Sequence, residues 1–152
     1  MQVDFHSGVA DKLGHTCRLL RKALRRGSRV QVCGQPRELD TLDQALWTME
    51  AQDFLPHLRW RGGEAPAPAL HRTPVWLVDS GMPWPHGLEP VQVLVNLGPE
   101  PPGEAELSSK ASRVIEIVGC EADEVQSGRR RWRFHVQQGW QPTHHAFTGE
   151  QA

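Results

Sequence analysis

No run of about 18 apolar residues occurs in the chain, which excludes a membrane-spanning helix on hydropathy. Charge of either sign is not in excess. The net charge is -1, so no global pull toward nucleic acid or membrane is expected, and any phosphate affinity must come from local clusters. Cysteine is scarce: Cys17, Cys33 and Cys120 are odd in number and widely separated. That pattern argues against a disulfide framework and suits a reducing cytosol. No C-x-x-C pair is present, and His144-His145 is a weak basis for a zinc site. No internal repeat is found, and Asp4 and His6 sit where the apolar stretch of a signal peptide would begin. Phosphate loops are missing too. The segments after the first two expected strands read His6-Ser7-Gly8-Val9-Ala10-Asp11 and Cys33-Gly34-Gln35-Pro36. Neither is a G-x-G-x-x-G nor a loop ending in Lys-Ser/Thr, so no nucleotide and no other cofactor is expected.

What is present alternates between strand and helix patterns over 152 residues, enough for one domain with a real core. Val3 to His6 reads as a first strand. Gly8 to Arg26 reads as a helix with Val9, Leu13, Cys17, Leu20 and Leu24 on one face and Lys12, Arg18, Arg21, Lys22 and Arg25 on the other. Gly27 closes it. Arg29 to Cys33 is a second strand, and Pro36 opens the next helix, where proline is tolerated. Arg59 to Pro74, rich in glycine and proline, reads as a long surface loop. Val75 to Asp79 and Val91 to Leu97 are apolar enough to be buried on both faces. Arg113 to Val118 is a further strand and Glu121 to Gln138 a final helix. Helices between strands predict a single three-layer α/β domain over residues 1–142, its mainly parallel sheet covered on both faces in a Rossmann-like outline without a nucleotide site. Residues 143–152 are expected to form a flexible C-terminal tail.

Two segments stand out. In Leu42-Asp43-Gln44-Ala45-Leu46-Trp47, Leu39, Leu42 and Leu46 share one helical face and Trp47 ends the helix. Asp53-Phe54-Leu55-Pro56-His57 then adds apolar area in a segment too broken for a helix. A large aromatic at a helix end, backed by a second in the next loop, is either a core corner or an exposed anchor for a partner. The second segment is the final helix, with Arg129-Arg130-Arg131-Trp132-Arg133 and then Trp140. At 100° per residue Val125, Arg129, Trp132, Arg133 and Val136 share a stripe roughly 100° wide, so Arg129 and Arg133 border an apolar notch. That arrangement suits a ligand both acidic and aromatic, such as a peptide C-terminus. The plainer alternative is dipole complementarity, with Glu121, Asp123 and Glu124 at one end and arginines toward the other.

The order of these segments resembles the chi subunit of bacterial DNA polymerase III holoenzyme. The resemblance rests on Val3-Asp4-Phe5, Gly27-Ser28-Arg29-Val30, Leu42-Asp43-x-Ala45-Leu46-Trp47, Phe54-x-Pro56-His57, Arg113 to Val118 and Arg129-x-x-Trp132-Arg133. It spans about Val3 to Trp140. It implies a non-catalytic, cytoplasmic bacterial replisome adaptor that joins the clamp loader through the psi subunit. Such an adaptor also grips the acidic, Phe-terminated tail of the single-stranded-DNA-binding protein, so that DNA is reached only indirectly. Carried over by residue, Trp47 and Phe54 match the psi-facing surface, which a repair helicase shares. Arg129, Trp132 and Arg133 match the trio that receives the tail, and Val118 helps line the pocket for the terminal phenylalanine, with Val136 on the same stripe. Trp132 and Arg133 replace the tyrosine and lysine expected from the family, keeping a flat apolar wall and a cation capable of bidentate pairing.

Three rival readings remain. Trp60, Trp132 and Trp140 could stack the bases of a single strand while arginines track its phosphates. Cys33 at a strand end could be a nucleophile, although a buried small hydrophobe is the ordinary state of a free cysteine. Metal binding would have to start from His144-His145. On the adaptor reading Arg129, Arg130, Arg131 and Arg133 together attract the acidic tail.

Overall fold

The computed structural model describes residues 1–48 and 54–147. Asp53 and the expected tail residues 148–152 lie outside the described residues. The strands are β1 (Gln2–Val9), β2 (Val30–Gly34), β3 (His57–Trp60), β4 (Val75–Asp79), β5 (Val93–Asn96), β6 (Arg113–Gly119) and β7 (Thr143–Ala146). The helices are α1 (Lys12–Arg25), α2 (Pro36–Thr48), the single turn α3 (Glu104–Leu107) and α4 (Ala122–Gln137). All seven strands join one parallel sheet in the order β3-β4-β2-β5-β6-β1-β7. Among the described residues no helix is long and apolar enough to cross a membrane.

Strand alternation divides the apolar residues between the two faces. Val30, Val32, Leu77, Val95, Ile115 and Ile117 meet Leu20 of α1 and Leu39, Leu42 and Leu46 of α2. On the other face Phe5, Trp76, Val78, Leu94, Val114 and Val118 meet Trp84 and Trp132. Both faces are therefore covered, as a parallel sheet requires.

The structure departs from the sequence expectation at the start of the first helix, at Leu13 and at two edge strands. The first helix starts at Lys12 rather than Gly8, because β1 continues to Val9 and Gly8 is left-handed (φ 68°). Asp11 then caps α1, its Oδ1 accepting from the Gly14 amide at 3.0 Å. Leu13, placed on the apolar face by periodicity, is exposed. Arg59 and Trp60 belong to β3 rather than to a loop, and Trp60 meets Trp76 edge to face at 6.5 Å. The expected tail is corrected over 143–146, which form β7, a parallel edge strand on β1. All four β7 residues are exposed, so no apolar alternation announced the strand.

One charged cluster lies inside these layers. Glu116, in the middle of β6, is fully buried. Its carboxylate accepts from Arg131 Nη1 (2.5 Å), His135 Nε2 (2.8 Å) and Asn96 Nδ2 (2.8 Å). Arg131 Nε reaches Ser127 Oγ at 3.2 Å, and Ser127 donates to the Pro99 carbonyl at 2.7 Å. The network thus ties α4 to β5, β6 and the loop after β5. Arg131 and His135 are one helical turn apart, so both face the sheet, while Arg133 between them turns outward. A second polar pair joins β1 to α1: His6 Nδ1 lies 2.9 Å from His15 Nε2. Burial, with the neighbouring His15 and His145, lowers the His6 pKa to about 4, and burial beside Arg18 lowers that of His15.

Two outcomes follow. Arg131→Leu leaves Glu116 buried without its main counter-charge and should lower stability by about 3–5 kcal/mol in equilibrium urea unfolding. A loss under about 1 kcal/mol, the size of a surface pair, contradicts the buried clamp. For His6 the folded state disfavours the proton, so the unfolded chain binds more protons as pH falls. Stability should therefore be intact above the ordinary histidine value of 6.5 and fall as pH drops toward about 4. His6→Gln should flatten that slope in denaturation curves recorded across the window, and an unchanged slope contradicts the assignment.

Candidate functional site

β1 and β6 are neighbours, yet their chains leave the sheet in opposite directions, β1 into α1 on one face and β6 into α4 on the other. A crevice at the carboxyl ends of such a pair is the usual ligand position in open parallel sheets. Here it is a cavity of about 750 Å³. Phe5, Val118, Val125 and Trp132 supply its apolar walls. The Phe5 and Trp132 ring centroids are 5.1 Å apart at 59°, so each ring holds the other in place. Ser7-Gly8 and Gly119-Cys120 line its edges. His144 of β7 closes one side, paired with the Ser7 hydroxyl and edge-on to Trp132 at 6.4 Å.

Arg129 and Arg133 stand at the cavity and are exposed. Among the described residues neither has an ion-pair partner. With Gln126 and Arg130 they also bound a shallower hollow of about 310 Å³. Arg130 is 3.9 Å from Glu100. The acidic start of α4 is partly neutralised: Glu124 accepts from the Gly119 amide and lies 3.0 Å from Lys12 Nζ. Burial opposes the Glu124 charge, but these two partners outweigh it and hold the carboxyl below its usual range.

The structure thus brings Val118, Arg129, Trp132 and Arg133 around one cavity. Val136 is half-exposed and lies outside the cavity wall, one turn beyond Trp132. Arg131, counted from sequence among the cations facing an acidic ligand, is corrected: it is buried on Glu116. At 100° per residue it falls about 200° around from Arg129. Trp60 lies on β3, at the opposite sheet edge from β7, and Trp140 packs on His135 at 5.5 Å, so the three tryptophans do not share a groove. Cys33 is buried, 3.5 Å from Asn96 Oδ1, and burial pushes its thiol well above the ordinary range, which removes it as a nucleophile. His144 and His145 are split to opposite sides of β7, His145 lying 3.1 Å from Asp4 Oδ1.

Trp47 and Phe54 are 58% and 59% exposed, with ring centroids 5.5 Å apart. Beneath them His57 is buried, its Nδ1 2.7 Å from the Leu55 carbonyl and its Nε2 3.0 Å from Asp43 Oδ1, and Trp47 rests on it at 4.9 Å. This aromatic pair borders β3, while the cavity lies at the ends of β6 and β1, four to five strand spacings away, about 19–24 Å.

Several contributors were missed in the sequence. Gly128 lets α4 touch β6: a Cβ there would lie 2.8 and 3.0 Å from the two Val118 methyls. Its signal was a glycine inside a helical pattern. Glu116 was also visible, as one charge within Val114-Ile115-Glu116-Ile117-Val118. Phe5 and His144 had no local signal, because only the pairing of β1 with β6 and β7 brings them to the cavity.

Comparison with known proteins agrees with this architecture. The family profile described as "DNA polymerase III chi subunit, HolC" matches residues 1–143. The DNA polymerase III subunit chi of Pseudomonas aeruginosa is 32% identical over 145 residues, covering 91% of this chain and 92% of that protein. Among solved structures, the C-terminal domain of the DEAD-box protein Dbp5 superposes with a TM-score of 0.61 at 10% identity, covering 96% of this chain and 90% of that one. That likeness is one of fold alone. The profile and the relative span nearly the whole chain, and the chain belongs to the DNA polymerase III chi subunit family.

Proposed function

We propose that this protein is a non-catalytic adaptor of DNA polymerase III, in the bacterial cytoplasm, that receives the C-terminal tail of the single-stranded-DNA-binding protein in the cavity between α4 and the ends of β1 and β6. The observation that carries the reading is an apolar cavity bordered by two exposed arginines without ion-pair partners among the described residues. A terminal phenylalanine ring would be desolvated between Trp132 and Val118. Its α-carboxylate would pair with Arg129, and the acidic residues before it would lie over Arg130 and Arg133. The Trp47–Phe54 pair would serve the psi subunit of the clamp loader, or a repair helicase using the same face. Placement several strands apart in the sheet supports an adaptor, since the two partners would not collide.

A short peptide with one aromatic anchor should bind at about micromolar strength, and several tails on one partner would raise the effective affinity. Fluorescence anisotropy with a labelled acidic peptide ending in Pro-Phe should show saturable binding that weakens with salt. Removing the terminal Phe should abolish it. Arg129→Ala should weaken binding by more than about tenfold, as expected for loss of a charge-assisted pair. Equal binding of the Phe-less peptide, or an unchanged affinity in the variant, would sink the assignment.

A further inference from the structure

A second cavity, of about 280 Å³, lies on the opposite face of the sheet, beneath the last turns of α1, and runs from the amino ends of β2, β5 and β6 to Phe147 beside the carboxyl end of β1. Its floor is apolar sheet, including Val93 and Val95, and the Phe147 ring forms one wall. That ring is set by His6 and His15, with centroids at 5.0 and 4.7 Å, and by the Phe147 amide, which donates to the Ser7 carbonyl at 2.9 Å. The rim is cationic through Lys22 and Arg26 at the end of α1 and Arg113 at the start of β6, with the His145 imidazole of β7 beside them. Asp4 is the acid beside this rim, and it is already held by Arg113 Nε (2.7 Å) and His145 Nε2 (3.1 Å). Lys22 and Arg26 have no ion-pair partner among the described residues, and the Nη groups of Arg113 make no hydrogen bond among them.

The charge continues beyond the cavity. No acidic residue occurs between Asp11 and Glu38, so the near-zero net charge hides a strongly basic helix. Arg18, Lys22, Arg25 and Arg26 are all exposed. At 100° per residue they fall within about 100° of one another, and Arg18, Lys22 and Arg26 repeat about every 6 Å along the axis. Complementing the helix dipole accounts for cations in a last turn, but not for a stripe that begins at Arg18 and is joined by Arg113 from another element. A line of cations beside an apolar slot with an aromatic wall is the combination that binds a single nucleic-acid strand, with phosphates on the cations and a base in the slot.

We propose that the cationic stripe of α1 and the Phe147-walled cavity form a single-stranded-DNA site, separate from the peptide cavity at α4. One strand would run along Arg18, Lys22 and Arg25, with a phosphate at Lys22, Arg26 and Arg113 and the attached base on the Val93–Phe147 surface. A phosphodiester strand is favoured over a free nucleotide because the cations extend past the cavity. The site gives this subunit a direct hold on DNA, next to whatever it gains through a protein partner.

The test uses the full chain and a fluorescein-labelled thymidine oligomer, read by anisotropy at several salt concentrations. Binding should weaken steeply with salt. The double change Lys22→Glu, Arg26→Glu should lower oligomer affinity by about tenfold or more at low salt and make the salt dependence shallower, as loss of phosphate contacts requires. The same variant should keep its affinity for a Phe-terminated acidic peptide, and that peptide should not displace the oligomer. Lys22→Gln, Arg26→Gln should act in the same direction if the reversed charges disturb folding. Phe147→Ala should weaken oligomer binding about fivefold or more, within the range for lost base stacking. Absence of oligomer binding by the unaltered protein, an unchanged affinity in both double variants, or displacement by the peptide each overturns the site. Competition by thymidine monophosphate as strong as by the oligomer overturns its assignment to a strand.

Discussion

The buried carboxylate of Glu116 is the constraint on which the placement of α4 depends. A charge at the centre of a parallel sheet is tolerated only when partners meet it with good geometry. Arg131 and His135 meet it from α4, and Asn96 meets it from the neighbouring strand. Because these two helix residues are one turn apart, the clamp sets both the rotation and the axial position of α4. Arg129 and Arg133, which point away from Glu116, are consequently carried to the cavity and its outer hollow. Gly128 completes the arrangement by letting the helix approach Val118 at a distance that a Cβ would forbid. One ion cluster on the inside therefore decides where two cations stand on the outside.

The cavity itself is a property of topology. β1 and β6 pair along most of their length and then diverge to opposite faces. Ser7-Gly8 and Gly119-Cys120 bound the gap between their ends, and the short β7 closes it with His144. The second cavity arises differently: α1 does not cover the sheet fully at the amino ends of β5 and β6, leaving Val93 partly exposed beside cations that need water. Incomplete coverage on one face and chain divergence on the other produce two depressions bordered by Lys and Arg side chains on a protein whose net charge is only -1.

The α/β layering was legible because parallel strands buried on both faces are dense in Val, Ile and Leu, and their helices carry a clear apolar stripe. Trp47, Phe54, Arg129, Trp132 and Arg133 were legible from spacing and from the family resemblance. What escaped was non-local. β3 and β7 are short edge strands with weak or absent alternation, so Arg59 and Trp60 read as loop and 143–146 as tail. Arg131 was misread because a run of arginines does not reveal which one faces a buried carboxylate fifteen residues earlier. The basic side of α1 was legible in Arg18, Lys22 and Arg25, but only tertiary structure places Arg113 and Phe147 beside it.

The central claim is that a terminal phenylalanine sits between Val118 and Trp132 at the divergence of β1 and β6. The most direct measurement is isotope-filtered nuclear Overhauser spectroscopy of the protein with an acidic peptide ending in Pro-Phe. Cross-peaks from the terminal ring to the Val118 methyls and the Trp132 indole are the predicted result. Cross-peaks to Trp47 and Phe54 instead, with none at Val118, would contradict it.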